Sequence, residues 1–152
     1  MDVYLNLGSN IGDSEALIGR AVALILERFS PIKHKVSPPF RSNAWGYQSD
    51  NVFVNVGLGM RLPESIDPLE ILQRLQKIES VFNHTPHRNA DGSYADRELD
   101  IDIIEIEGVA LNHPRLTLPH PRAHLRDFVQ IPLSQTRLNV SPKHSNRGSE
   151  DC

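Results

Sequence analysis

Asp100-Ile101-Asp102-Ile103 alternates carboxylate and branched apolar side chains, between Leu99 and Ile104. Successive side chains of an extended strand point to opposite faces, so Asp100 and Asp102 share one face while Leu99, Ile101 and Ile103 project from the other. A chain with this pattern must build a sheet with one face packed in a core and the other available to polar partners. Two like charges side by side cost free energy unless something neutralises them. The usual neutraliser of an all-oxygen pair is a hard divalent cation such as Mg²⁺, which takes one or two carboxylates and completes its shell with water and phosphate oxygens. The competing reading is a solvated strand edge of alternating charge.

Other segments supply partners for that strand. Val3 to Leu7 is a short apolar run ended by the turn signal Gly8-Ser9-Asn10. A helix follows, capped by Asp13 or Ser14, with Glu15 in its first turn and an apolar stripe through Leu17, Val22, Leu24, Ile25 and Phe29 to the stop at Ser30-Pro31. Ile32 to Val36 resumes as a strand, broken by Pro38-Pro39 before Phe40-Arg41-Ser42. From Val52 to Met60 the alternation places Phe53, Asn55, Gly57 and Gly59 on one face and Val54, Val56, Leu58 and Met60 on the other. A second helix starts with Asp67 as cap and Pro68 at its first position and runs to about Phe82. Residues 83 to 97 are aperiodic and read as a long loop, after which the Asp100 strand begins. The order strand, helix, strand, strand, helix, strand is the split βαβ, or ferredoxin-like, arrangement, so an α+β sandwich with a mainly antiparallel sheet is expected. Beyond it, Leu116 to Pro119 is apolar, a short helical turn is expected to span His120 to Arg126, and Phe128 to Leu133 is read as an added edge segment.

With 152 residues, 39% of them apolar, the chain has enough interior for one domain, expected over residues 1–140, followed by a polar tail at 141–152 expected to be disordered. A net charge of −3 gives no global electrostatic case for nucleic acid or an anionic membrane, so any polyanion has to be met by local arginines. The single cysteine, Cys152, excludes a disulfide framework, and no apolar run approaches the ~20 residues a bilayer requires. The expectation is a cytoplasmic protein.

Arg88, Arg97, Arg115, Arg122 and Arg126 concentrate in one third of the chain, and guanidinium forks suit bidentate phosphate contact. Gly8-Ser9-Asn10 is not a phosphate-binding P-loop, because the Lys-Ser/Thr ending is missing. His84 with His87 and His120 with His124 are poor candidates for a zinc site, since Pro86 and Pro121 fall inside the pairs and no HExxH pattern occurs. His120 has the distinctive context Leu118-Pro119-His120-Pro121.

Taken in order, Leu7-Gly8-Ser9-Asn10, Arg41-Ser42 with Gly46, Phe53-Val54-Asn55, Gln76-Lys77-Ile78-Glu79, Arg97-Glu98-Leu99-Asp100-Ile101-Asp102-Ile103, Arg115-Leu116-Thr117-Leu118-Pro119-His120-Pro121 and Arg126-Asp127-Phe128 with Pro132-Leu133 resemble the 6-hydroxymethyl-7,8-dihydropterin pyrophosphokinase family of folate biosynthesis, over roughly residues 2 to 134. The resemblance implies a ferredoxin-like enzyme that transfers pyrophosphate from ATP to the 6-hydroxymethyl group of the dihydropterin by in-line attack on the β-phosphorus, leaving AMP. It implies a monomer or weak dimer acting on small molecules, with Asp100 and Asp102 as ligands of two Mg²⁺ ions and Arg97 as a catalytic phosphate contact. For the ATP site it implies Gln76, Arg88, Arg97, Ile103, Arg115, Thr117, His120 and Arg126. For the pterin pocket it implies Ser42, Asn43, Trp45, Phe53, Asn55, Tyr94 and Phe128. The sequence departs from the family at Asp96, where Pro or another small residue is usual, and at His84, His87 and Arg88, where paired basic residues are usual. Two other classes compete: an Asp-x-Asp metal-dependent glycosyl- or nucleotidyltransferase, and a pterin- or nucleotide-binding protein without turnover.

Overall fold

The computed structural model describes residues 1–10, 13–43, 52–83 and 98–138. The loop positions Arg88, Tyr94 and Arg97, together with Trp45 and the tail, lie outside the described residues, as does the side chain of Asn43. Strands β1 (Asp2–Ser9), β2 (Lys33–Val36), β3 (Phe40–Asn43), β4 (Val52–Arg61) and β5 (Asp100–Ile106) form one sheet, with helices α1 (Ser14–Phe29) and α2 (Pro68–Phe82) in the crossovers. The strand order is β2-β4-β1-β5, with β3 also pairing β4, and every pairing is antiparallel. Because β2 and β3 occupy successive stretches of β4, they act as one interrupted strand, and the sheet is that of the ferredoxin-like α+β class. A hairpin, β6 (Leu111–His113) with β7 (Leu116–Leu118), a 3₁₀ turn (Ala123–Leu125) and α3 (Asp127–Ser134) complete the described chain.

The helix starts follow the capping chemistry of the sequence. Ala16 N–H donates to Asp13 Oδ1 at 3.3 Å, and Leu69 N–H donates to Asp67 Oδ1 at 2.8 Å. Both long helices bury their stripes against one face of the sheet: Ile18, Ala21, Ile25, Ile71, Leu75 and Ile78 meet Leu5, Leu7, Val56, Leu58, Ile101 and Ile103 in the main core. The opposite face carries a smaller cluster, in which Tyr4 and Ile104 pack with Ala123, Val129, Leu133 and Leu138.

The expected edge segment at 128–133 is instead part of α3, which lies on this second face. Val129 and Leu133 are one turn apart and both buried, so the segment satisfies the sheet with a helical stripe and does not extend its edge. Pro132 sits inside the helix and cannot donate to the carbonyl four residues back, that of Phe128. Asn6 Nδ2 donates to that carbonyl at 3.0 Å, so a buried amide from β1 replaces the missing helical bond and ties α3 to the sheet. Gly57 and Gly59 of β4 make the close approach possible. A Cβ at Gly57 would lie 2.9 Å from the Pro132 carbonyl oxygen, and one at Gly59 would lie 2.5 Å from that of Thr136.

Candidate active site

The register of the sheet brings the sequence-derived residues together on the face opposite α1 and α2. Phe40 pairs with Asn55, Asn55 with Gly8, and Gly8 with Asp100, so these four form a row across β3, β4, β1 and β5. In the adjacent rows Ser42 pairs with Phe53, and Gly57 pairs with Asn6, which pairs with Asp102. Strands are spaced by about 4.8 Å, which sets Asn55 and Asp100 about 10 Å apart with only Gly8 between them. Asn55 is buried at 7% exposure, and its Oδ1 lies 2.9 Å from the place a Cβ on Gly8 would occupy. Gly8 therefore makes room for the Asn55 amide, which lies over β1 in the row that ends at Asp100. Phe53 and Ser42 are half-buried, Asp100 is exposed and Asp102 is half-buried.

A cavity of about 280 Å³ opens at the outer edge of β5, bounded by Leu72 of α2, the strand at Ile101, Asp102 and Ile103, and the chain from Pro114 through Thr117 to His120 and Pro121. Arg115, Thr117, His120, Ile103 and Asp102 thus surround one space. The Ile103 side chain belongs to the main core, so what it offers the cavity is chiefly its strand edge. Gln76 does not line this cavity; it is exposed on α2, one turn beyond Leu72. Arg126 is half-buried, caps α3, and holds its guanidinium 5.6 Å from the centre of the Phe128 ring.

His120 is fixed from two sides. Its N–H donates to the Ile104 carbonyl at 2.8 Å, and its ring Nδ1 accepts from Arg122 N–H at 3.3 Å. The same local arrangement occurs earlier, where His113 Nδ1 accepts from Arg115 N–H at 3.1 Å across another His-Pro-Arg triplet. With Nδ1 accepting, the proton of the neutral His120 ring resides on Nε2, which becomes the donor. Burial lowers the His120 pKa below its usual 6.5, the positive charges of Arg126 and Arg122 lower it further, and Asp100 opposes them. The ring is therefore neutral at pH 7, beside two cations and within the field of a site carboxylate. Arg126→Ala should raise the His120 pKa in an NMR titration but leave it below 6.5, because burial, the larger cause, persists. An unchanged pKa in that variant would remove Arg126 from the surroundings of His120.

Sequence reasoning overlooked Asn6, although the argument applied to Asn55 serves equally: a buried amide on an apolar strand must find a partner. It also overlooked Leu72, Pro114 and Pro121, whose contribution is shape and leaves no chemical signal in the sequence.

Several proteins similar to this chain along most of its length are described as 2-amino-4-hydroxy-6-hydroxymethyldihydropteridine pyrophosphokinase. The relative from Porphyromonas gingivalis is 37% identical over 143 residues, covering 93% of this chain and 94% of its own. That from Aquifex aeolicus is 35% identical over 138 residues, covering 91% and 81%. That from Bacillus subtilis is 32% identical over 132 residues, covering 87% and 75%. A chain of this fold, similar to these enzymes over such a span, is an enzyme of the pyrophosphokinase class. The profile of the 7,8-dihydro-6-hydroxymethylpterin-pyrophosphokinase (HPPK) family matches residues 4–137, and the chain belongs to that family.

Proposed function

We propose that this enzyme transfers the pyrophosphoryl group of ATP to the hydroxymethyl oxygen of 6-hydroxymethyl-7,8-dihydropterin in folate biosynthesis, releasing AMP, with Mg²⁺ held at Asp100 and Asp102. Beside family membership, the observation that carries this reading is the row Asn55, Gly8, Asp100: a buried amide lies over the glycine of β1, on the same sheet face and in the same row as the carboxylate. An amide offers both a donor and an acceptor, as the edge of a pterin ring requires, and Phe53 and Phe128 supply aromatic faces for stacking. Ser42, beside Phe53 in register, extends that pocket, and Asn43 joins it in this reading through the family resemblance.

The donor set fits the metal. Two carboxylates share a face on β5, oxygen is the only donor type they present, and among the described residues no group of three or more His, Cys, Asp and Glu side chains could hold an ion. Such a pair would supply carboxylate oxygens of the kind Mg²⁺ prefers. When bound, Mg²⁺ supplies charge neutralisation at the phosphates.

The chain's own residues do the rest by placement. Arg115 and Arg126, with neutral His120 donating from Nε2, meet the phosphate charge, and donors held in advance cost no reorganisation. Thr117 adds a hydroxyl to that wall. Ile103 turns its outer N–H and C=O toward the cavity by the two-residue period of β5, which suits a purine edge, and Gln76 joins the nucleotide site in this reading through the family resemblance. Asn55 and the aromatics hold the attacking hydroxymethyl oxygen in line with the bond to be broken, and this orientation is the larger part of catalysis for phosphoryl transfer. Arg97, Arg88, Tyr94 and Trp45 join the site in this reading through the family resemblance.

The decisive experiment measures AMP from ATP with and without hydroxymethyldihydropterin. AMP formation that requires both the pterin and Mg²⁺ is expected. AMP without the pterin, or none with it, would remove the reading.

A further inference from the structure

We propose that Asn83 is a positioning residue that locks the entry to β5 and so sets the Asp100 and Asp102 carboxylates, an inference that rests on the pyrophosphoryl-transfer reading above. β5 lies at the end of the sheet, and β1 pairs its inner side from Asp100 to Ile106. Its outer side, where the carboxylates enter the strand, is held by side chains of α2. Asn83 Nδ2 donates to the Leu99 carbonyl at 2.9 Å, while Leu99 N–H donates to Asn83 Oδ1 at 2.8 Å. One primary amide thereby imitates the donor and acceptor of a neighbouring strand residue. One turn earlier on the helix, Glu79 Oε2 accepts from Ile101 N–H at 2.6 Å.

Residues 99 and 101 alternate with 100 and 102. The peptide groups bearing the two aspartates are thus gripped on the inside by β1 and on the outside by α2. Asn83 is itself the C-cap of α2, with its N–H donating to the Glu79 carbonyl at 3.0 Å, so the clamp is anchored in the helix. Leu99 is fully buried at 0% exposure, and loss of the Asn83 amide would leave its N–H and C=O without this partner in the interior. Asp100 is exposed, so burial contributes little to its placement and the path of the strand contributes much. Placement errors of about 1 Å cost on the order of a hundredfold in rate, which makes a strand-entry clamp consequential for chemistry it never touches.

The test uses Asn83→Ala and Asn83→Asp in the full chain. In Asn83→Ala, amide hydrogen exchange at Leu99 should accelerate roughly tenfold or more, reflecting loss of a buried hydrogen-bond pair. Mn²⁺ binding in the presence of a nonhydrolysable ATP analogue, read by water-proton relaxation, should weaken by about tenfold, and kcat should fall by a similar factor. KM for the pterin should stay unchanged, because Asn55 and Phe53 lie on β4, two strands away. Asn83→Asp keeps an acceptor for Leu99 N–H and should recover part of the Mn²⁺ affinity. An Asn83→Ala protein that binds Mn²⁺ and turns over like the wild type would overturn the proposal. So would a loss of kcat accompanied by an equal rise in pterin KM and normal Mn²⁺ binding, the pattern of general loosening. Failure of the underlying reading looks different: the wild-type protein itself would form no AMP, and the positioning role would fall with it.

Discussion

Asp102→Ala and Asp100→Ala should each lower AMP formation by roughly a thousandfold while the protein stays folded. Charge stabilisation at a transferring phosphate is worth several kcal/mol, and each 1.36 kcal/mol is a factor of ten in rate. Neither side chain is part of the cores. Asp100 is exposed and Asp102 half-buried, on the face that looks away from α1 and α2, so removing either costs little packing. The expected signature is a collapse of kcat with circular dichroism and thermal midpoint close to wild type. The conservative Asp→Asn changes should behave nearly as badly, since an amide preserves shape and loses charge. AMP formation near the wild-type rate in either alanine variant would remove the carboxylate pair from the chemistry and leave β5 as a strand edge of alternating charge.

The sequence carried most of the sheet because its strands are one-sided. Along β4 the alternation of Val54, Val56, Leu58 and Met60 with Phe53, Asn55, Gly57 and Gly59 matches the observed division between the main core and the site face. The caps Asp13 and Asp67 were legible because their side chains act on amides two or three residues away. What was not legible depends on distant partners. Phe128 to Leu133 reads as a short apolar run interrupted by a proline, and helix and strand are hard to separate at that length. Only Asn6, 122 residues away from Phe128, makes the helix tolerable by serving the carbonyl that Pro132 cannot. The pairing of β5 with β1 holds a second hidden feature. The register shifts between Tyr4 and Leu5, so that Tyr4 faces Glu105 while Leu5 faces Ile103, and Ile104 is the extra residue. Strict alternation would place Ile104 and Ile106 together. The bulge leaves Ile104 with the α3 cluster and returns Ile106 to the main core, and the doublet Ile103-Ile104 is its trace in the sequence. Within the site, chemistry-bearing residues such as Asp100, Asn55 and His120 were readable, whereas the clamp at Asn83 was not, because its partner is backbone.

The largest effect on stability should come from the two glycines under α3. Gly59→Ala would set its new methyl 2.5 Å from the Thr136 carbonyl oxygen and 3.1 Å from the Tyr4 ring, and Gly57→Ala would set its own 2.9 Å from the Pro132 carbonyl oxygen. The obstructing atoms are chiefly backbone, so relief requires α3 and the chain following it to lift from the sheet. Overpacking of this kind costs about 1–3 kcal/mol, and in a chain of this size each kcal/mol lowers the melting temperature by about 2–4 °C. Gly59 should suffer more than Gly57, in keeping with its shorter contact. Lifting α3 would also draw Phe128 away from Asn6 and carry the Arg126 cap with it, so activity should fall alongside stability in both variants. Gly19→Ala supplies the contrast. That glycine is exposed in α1 with nothing within 4 Å of a new Cβ, and the change should stabilise the helix by about 0.5–1 kcal/mol with activity intact. Thermal melts of the three variants decide the matter. A Gly59→Ala protein that melts at or above the wild-type temperature would show that α3 does not rest on β4 in this way.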